Sequence, residues 1–383
     1  MKVKISKSEL SNGLQLVQNI VSTRTTLPIL SNVLIRTMDH QLQLSTTDLD
    51  VMIRSNVKAE VVKSGACTLP VRRLAGIVRE LAEGEIQIEA ESKGTVSFRS
   101  GASFFKIHGL PPEEFPAAPK FEKSQKFKLS QADVKEMLKR TTFSISTDET
   151  RFVLNGLYLS FKGNKLTAVA TDGRRLALVE REMEVRKEDE QEVILPTKAV
   201  MELSRLLSTE GNLEISIAES QVAFEFLRGK AGKKAAATEE TGPNNEGVFL
   251  VTKQIVGKFP NYKQVIPSET KERVTIEREQ LLGAVSRAGL LTTEKNNAVK
   301  MTLAKNQIII SANTPEVGEA KETLTVKYGG KEFSIGFNPG FLLEALRALD
   351  TDEVSLELTD ELSPAILKIN GPFLYVVMPM RMN

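Results

Sequence analysis

The sequence contains no tryptophan, one cysteine (Cys67) and two histidines (His40 and His108) in 383 residues. A single cysteine excludes an intramolecular disulfide and fits a reducing compartment. One thiol and two imidazoles are too few soft ligands for a zinc site, so neither a metal nor a cofactor is expected. A surplus of charge of one sign is also missing: 51 Lys plus Arg stand against 49 Asp plus Glu, a formal net charge of +2. A strongly charged partner would therefore have to meet a local patch rather than a global field. The opening MKVKISKSEL lacks the apolar stretch of a secretory leader. No apolar run approaches the roughly 18 residues that a membrane span needs. The expectation is a soluble, cytoplasmic protein. The motifs G-x-x-x-x-G-K-[ST], G-x-G-x-x-G, G-x-S-x-G and H-E-x-x-H are absent as well. Gly329-Gly330-Lys331 is the nearest thing to a phosphate loop, but it lies between two strand-like segments and reads as a hairpin turn. Carboxylates are too evenly spread to single out a catalytic pair. An ordinary enzyme is disfavoured, and no catalytic residue is assigned.

What the sequence does have is internal repetition. Three segments read as first helices: Ser6–Ser22, Ser130–Phe143 and Glu277–Leu291. The first two open on Ser with an acid three residues on, as in a capping box. Three more read as second helices, starting at Pro70, Pro196 and Asn338-Pro339. Their apolar positions recur at helical spacing, as in Leu74, Ile77, Val78, Leu81 and in Leu342, Ala345, Leu346, Leu349. Proline near each start suits the first turn, where its missing N–H costs nothing. The offsets agree: Ser6 to Ser130 is 124 residues and Pro70 to Pro196 is 126, while Ser130 to Glu277 is 147 and Pro196 to Asn338 is 142. The excess in the second unit falls in GKAGKKAAATEETGPNNEG, Gly229–Gly247, which is small, polar and patternless and reads as a mobile surface loop. A DNA-binding arm is a poorer reading, because Glu239, Glu240 and Glu246 offset Lys230, Lys233 and Lys234.

Alternating strand patterns fill the space between helices, as in Gln41–Ser45, Lys165–Val169 and Gln307–Ser311, and EIQIEAES, NLEISIAES and EVSLELTD follow the three second helices. Grouped this way, they predict an α+β protein of three repeated domains, 1–126, 127–248 and 249–383, each with two helices packed on antiparallel sheet. The predicted helices carry little net charge, so they do not announce nucleic acid, although Arg72, Arg73 and Arg79, and Lys135, Lys139 and Arg140, form small basic faces.

Five segments then matter together: TLPILSN (Thr26–Asn32), Phe152-Val153-Leu154-Asn155-Gly156, VATDGRRLA (Val169–Ala177), KFPNY (Lys258–Tyr262) and YVVMPMRM (Tyr375–Met382). In wording, order and spacing the chain resembles the bacterial replicative sliding clamps, the beta subunits of DNA polymerase III, over essentially its whole length. The resemblance implies three clamp-type domains, a head-to-tail homodimer closed into a ring, and double-stranded DNA threaded through it. Such a ring holds DNA by topology, with phosphate attraction only centring it.

The resemblance also implies a peptide pocket built from Leu154, from Thr171, Gly173, Arg175 and Leu176, from Pro260 and Val265, and from Val376, Met378, Pro379, Met380, Arg381 and Met382. Its occupants would be the polymerase III catalytic subunit, the clamp loader and other proteins carrying a Gln and two large apolar side chains, around which soft Met side chains can mould. Gln264, Arg174 and Asn383 depart from the family pattern, and Ser146-Thr147-Asp148-Glu149 is too acidic for a DNA contact. By the same resemblance Arg24, Arg73 and Lys198 would face DNA, and Phe105 and Ile107 would meet the partner's Leu290 and Leu291. The alternative, on the residues alone, is a monomeric three-domain peptide-binding adaptor without DNA function; an enzyme using scattered carboxylates is a weaker third reading.

Overall fold

The computed structural model describes residues 1–21, 26–91, 94–119, 121, 124–227, 247–294 and 297–381. Among them six α-helices lie where the periodicity predicts: α1 (Lys7–Val17), α2 (Val71–Glu80), α3 (Gln131–Thr141), α4 (Thr197–Leu206), α5 (Arg278–Gly289) and α6 (Pro339–Ala348). The Ser6 hydroxyl accepts the Glu9 N–H at 3.2 Å and Ser130 accepts that of Asp133 at 3.0 Å, which satisfies two backbone donors that a helix start leaves open. The prolines divide. Pro339 is the first residue of α6, whereas Pro70 and Pro196 end the strands Ala66–Pro70 and Gln191–Pro196 and stand one residue before α2 and α4, Pro70 as the N-cap. Gly13 sits inside α1, where glycine costs about 1 kcal/mol. A Cβ there would lie 2.5 Å from Val57 Cγ1 and 2.8 Å from Leu44 Cδ1, so the helix could not approach its sheet this closely with any larger residue.

The helices are more basic than expected. Among the described helices, α2 (VRRLAGIVRE) carries three Arg against one Glu, and α3, α4 and α5 each hold one more cation than anions.

Contacts gather the chain into two compact units, Met1–Lys135 with Lys198–Gln254, and Glu136–Thr197 with Ile255–Asn383. The first contains a five-stranded antiparallel sheet in the order Glu60–Lys63, Lys2–Ser6, Glu85–Ala90, Thr95–Ser100, Ser103–His108. Its second sheet has eight strands: Gln125–Ser130, Asn212–Ile217, Gln221–Leu227, Phe249–Lys253, Val51–Lys58, Gln41–Thr47, Asn32–Met38, Ala66–Pro70. The second unit has an eight-stranded sheet, Gln191–Pro196, Gly156–Lys162, Lys165–Thr171, Arg175–Glu182, Phe373–Val377, Ala365–Lys368, Glu353–Leu358, Glu272–Glu277. Beside it stands a four-stranded sheet, Gly318–Thr325, Gln307–Thr314, Val299–Ala304, Phe333–Phe337. Two pairings explain why the units cut through the middle repeat: Phe249–Lys253 pairs with Val51–Lys58, and Phe373–Val377 pairs with Arg175–Glu182. The backbone ladder therefore runs past the boundaries expected from repetition.

Gly329-Gly330-Lys331 is not a hairpin turn. The strands on either side, Gly318–Thr325 and Phe333–Phe337, form opposite edges of the four-stranded sheet and do not pair. No helix among the described residues is long and apolar enough to cross a membrane, and no group of three or more His, Cys, Asp or Glu is placed to hold a metal ion. Burial pushes the Cys67 thiol up to about 12, which leaves it unreactive near neutrality. All but one residue of the predicted loop 229–247 lies outside the described residues.

Candidate functional site

The second unit brings four of the quoted segments together. The hairpin Lys165–Thr171 to Arg175–Glu182 turns through Asp172-Gly173-Arg174. Asp172 Oδ1 accepts the N–H groups of Arg174 and Arg175 at 2.9 and 3.0 Å, and the Thr171 hydroxyl donates to Arg175 O at 2.6 Å while accepting the Gly173 N–H at 3.1 Å. Gly173 has φ +84°, a left-handed conformation that glycine adopts without strain. Arg151 Nη1 reaches the Asp172 carbonyl at 3.3 Å, which joins the 3₁₀ segment Glu149–Leu154 to the turn. The tail joins from the other side: Leu176 pairs with Val376, Met378 N–H donates to Arg174 O at 2.9 Å, and Met380 N–H donates to Gly336 O at 2.8 Å.

Under these segments lies an apolar floor of Leu154, Tyr158, Val169, Leu176, Ile194, Phe259 and Val376, all buried. Tyr158 stacks on Phe259 with ring centroids 4.8 Å apart. Burial raises the Tyr158 and Tyr262 phenols, so both rings stay neutral at physiological pH. Exposed apolar side chains stand on these segments or beside them: Phe152 and Met378 on them, Val256 and Val265 flanking Lys258–Tyr262. Glycine at 257 lets Val153 close in, since a Cβ there would lie 2.7 Å from Val153 Cγ1. A buried apolar base with Val265 and Met378 open to water above it is the arrangement that takes large apolar side chains from a partner.

Of the predicted pocket residues, Leu154, Leu176 and Val376 form the floor, and Thr171, Gly173, Pro260, Val265, Met378, Pro379, Met380 and Arg381 are half-buried or exposed. Met382 lies outside the described residues, as does Asn383. Arg175 is placed differently. It is 9% exposed, with Nε on Asp172 Oδ2 at 3.0 Å, Nη1 on Glu344, Nη2 on Phe143 O at 2.6 Å, and its guanidinium 4.4 Å from the Phe341 ring centre. All three nitrogens are engaged inside the unit, so the open cation of this turn is its exposed neighbour Arg174. Asp148 caps the segment Glu149–Leu154, where its carboxylate accepts the Thr150 hydroxyl and N–H. Those two hydrogen bonds hold it below the usual carboxylate range.

The first unit contains a second copy of this turn. Leu49 N–H donates to Thr47 Oγ1 at 3.0 Å, Asp50 and Val51 N–H donate to Asp48 Oδ1 at 3.0 and 2.7 Å, and Lys253 N–H donates to Asp50 O at 2.9 Å. Leu49, at φ +79°, occupies the place of Gly173. The signal for it is Thr-Asp at 47–48 and again at 171–172, an offset of 124 residues that equals the helix offset.

The residues expected at DNA and at the dimer boundary scatter. Arg73 is exposed on α2, and Arg24 lies outside the described residues. Lys198 is engaged: its ammonium donates to Ile20 O at 3.0 Å and pairs with Asp48. Phe105 and Ile107 stand opposite Phe98 and Val96, on one side of the edge strand as their alternation requires. Ile107 is nevertheless only 5% exposed and already belongs to its own core, whereas Phe105 is 37% exposed. Leu290 is 77% exposed and Leu291 is half-buried.

Comparison with known proteins matches three family models in order along the chain. The DNA polymerase III beta subunit N-terminal domain matches residues 1–119, the central domain 128–233 and the C-terminal domain 263–381. The chain is 33% identical to the beta sliding clamp of Chlamydia muridarum and 35% identical to that of Pseudomonas putida, with the whole of each chain covered. It superimposes on the DNA polymerase III subunit beta of Pseudomonas aeruginosa with a TM-score of 0.90 at 33% identity, and on the sliding clamp of Bacillus subtilis with a TM-score of 0.90 at 27% identity, each over 100% of both chains. Three clamp domains in family order, on this mixture of helix and antiparallel sheet, leave the adaptor reading without support. The chain belongs to the DNA polymerase III beta-subunit family, the bacterial sliding clamps.

Proposed function

We propose that two copies of this chain close head to tail into a ring around duplex DNA. The groove over Leu154, Leu176 and Val376 then holds apolar peptide segments of the replicative polymerase, the clamp loader and other DNA-processing proteins, and so confers processivity. The convergence of four segments on one buried apolar floor, in a chain of this family, carries the reading. The domains would run 1–126, 127–248 and 249–383. Each pocket wall would use Thr171, Gly173, Pro260, Val265 and Met378 to Met382, with Arg174 as the rim cation.

Two open sheet edges support the dimer. Ser103–His108 ends one sheet and Gly318–Thr325 ends another, and an unpaired edge invites a partner strand. Phe105, Leu290 and Leu291 supply apolar surface beside them. Helix charge supports DNA passage: α2 to α5 are each net positive, and Arg73 is free to meet phosphates, while Lys198 and Asp48 must part first. A ring tethers without chemistry, so no residue is given a catalytic role, and the cytoplasm, where the chromosome is copied, is the compartment. Imaging the protein in negative stain alongside a mass measurement tests this: a ring of twice the chain mass supports it, and a monomer returns the adaptor.

A further inference from the structure

We propose that Glu344 on α6 is a positioning residue for the peptide groove, acting through Arg175; this rests on the function proposed above. The turn that walls the groove is shaped by one carboxylate, Asp172, whose Oδ1 holds two backbone N–H groups while Oδ2 is held by Arg175 Nε at 3.0 Å. The guanidinium is in turn gripped from α6. Glu344 accepts from Nη1, and Phe341, one helical turn earlier on the same face, lies under the guanidinium plane at 4.4 Å. Phe143 O takes Nη2 at 2.6 Å, and the Tyr375 hydroxyl donates to Phe341 O at 2.9 Å, which locks the ring in place.

The rigid fork of an arginine transmits position in a way a flexible ammonium does not. If the guanidinium shifts, Asp172 shifts with it, and so do the exposed Gly173 and Arg174. Arg174 O also anchors the tail at Met378 N, so both groove walls depend on one strut. The first unit holds its copy of the turn more simply, with Lys198 of α4 directly on Asp48. In each unit, then, a helix-borne charge fixes the turn; in the second it acts through an intermediary. Without Glu344 a buried guanidinium loses one partner and draws toward water, the binding-competent turn is less populated, and the apparent dissociation constant rises by that fraction.

The test uses the full chain and a short fluorescent peptide carrying one Gln next to Leu and Phe. Glu344→Ala should weaken binding on the order of tenfold, while Glu344→Gln, whose amide oxygen still accepts from Nη1, should stay within about threefold of the parent. Glu344→Gln should keep the parent melting temperature, whereas Glu344→Ala, which strips one partner from a buried guanidinium, should lower it by a few degrees with an unchanged circular dichroism spectrum. Amide exchange at Arg174 and Arg175 should quicken in the Ala variant only. Equal binding by parent and Glu344→Ala overturns the strut and leaves the groove standing, and so does a Gln variant no better than Ala. A parent chain that binds no peptide overturns the groove itself and the strut with it.

Discussion

Leu290→Glu is the sharpest perturbation of the proposed dimer. Full burial of a large apolar side chain contributes about 1.5–3 kcal/mol. Leu290 is 77% exposed, so burying it at an interface would add about 1–2 kcal/mol, and Phe105, at 37%, about 0.5–1 kcal/mol. Ile107, at 5%, has almost nothing left to bury. A glutamate at 290 forfeits the leucine's share and must be stripped of water, which adds an effective penalty of several kcal/mol if the site stays closed. The loss should be on the order of 4 kcal/mol per interface, or about a thousandfold in dissociation constant. A two-chain ring loses both of its interfaces at once. Sedimentation equilibrium at micromolar concentration should then report the monomer mass with an unchanged circular dichroism spectrum. Ile107→Ala is the contrasting control, since it should cost about 2–5 kcal/mol in the stability of the single chain. A Leu290→Glu protein that keeps the dimer mass removes Leu290 from the dimer boundary.

Further outcomes follow from the groove and the helices. Deleting Met380–Asn383 should abolish binding of the fluorescent peptide with only a small fall in melting temperature, because it removes the Met380 bond to Gly336 O while Phe373–Val377 keeps its pairing on both sides; full binding by the truncated chain removes the tail from the site. Gly173→Ala forces a side chain into φ +84° and puts its Cβ 2.7 Å from Arg151 Nη1. The backbone strain alone should cost about 1–2 kcal/mol, and scanning calorimetry should show a fall of about 2–8 °C; no change would mean that the turn relaxes freely. Arg73→Ala should weaken direct DNA binding and its salt dependence at constant melting temperature, whereas Lys198→Ala should lower both, because it also releases Asp48. Equal melting temperatures for the two variants would show that the Lys198 pair has no structural weight.

Helix positions and the threefold repeat were legible because both rest on local pattern: caps, helical spacing and constant offsets. Sheet continuity was not. Leu250, Val251 and Thr252 are buried in succession, so Phe249–Lys253 is covered on both faces, and nothing in that run tells that its edge pairs with Val51–Lys58 some 200 residues away. The apolar floor was partly legible, since Leu154, Leu176 and Val376 sit in distinctive wording. Arg175 shows the limit. Nothing local marks an arginine as buried when its partner Glu344 is 169 residues distant. Arg174 and Arg175 are neighbours of like type, and only the strand's alternation turns one outward and the other in. Ile107 likewise needed the register against Val96 before its burial in its own core could be known.

In the proposed ring, DNA is held by topology and not by charge. The chain should be loaded onto circular duplex DNA with a clamp loader, washed at high salt, and released by cutting the circle. Phosphate contacts weaken steeply as salt rises, but a closed ring cannot leave a closed circle whatever the salt screens. The ring should stay on through the wash, escape once the circle is linear, and be retained nearly as well after Arg73→Ala. Loss from the intact circle at the salt concentration that strips linear DNA, or no release on cutting, would contradict topological holding.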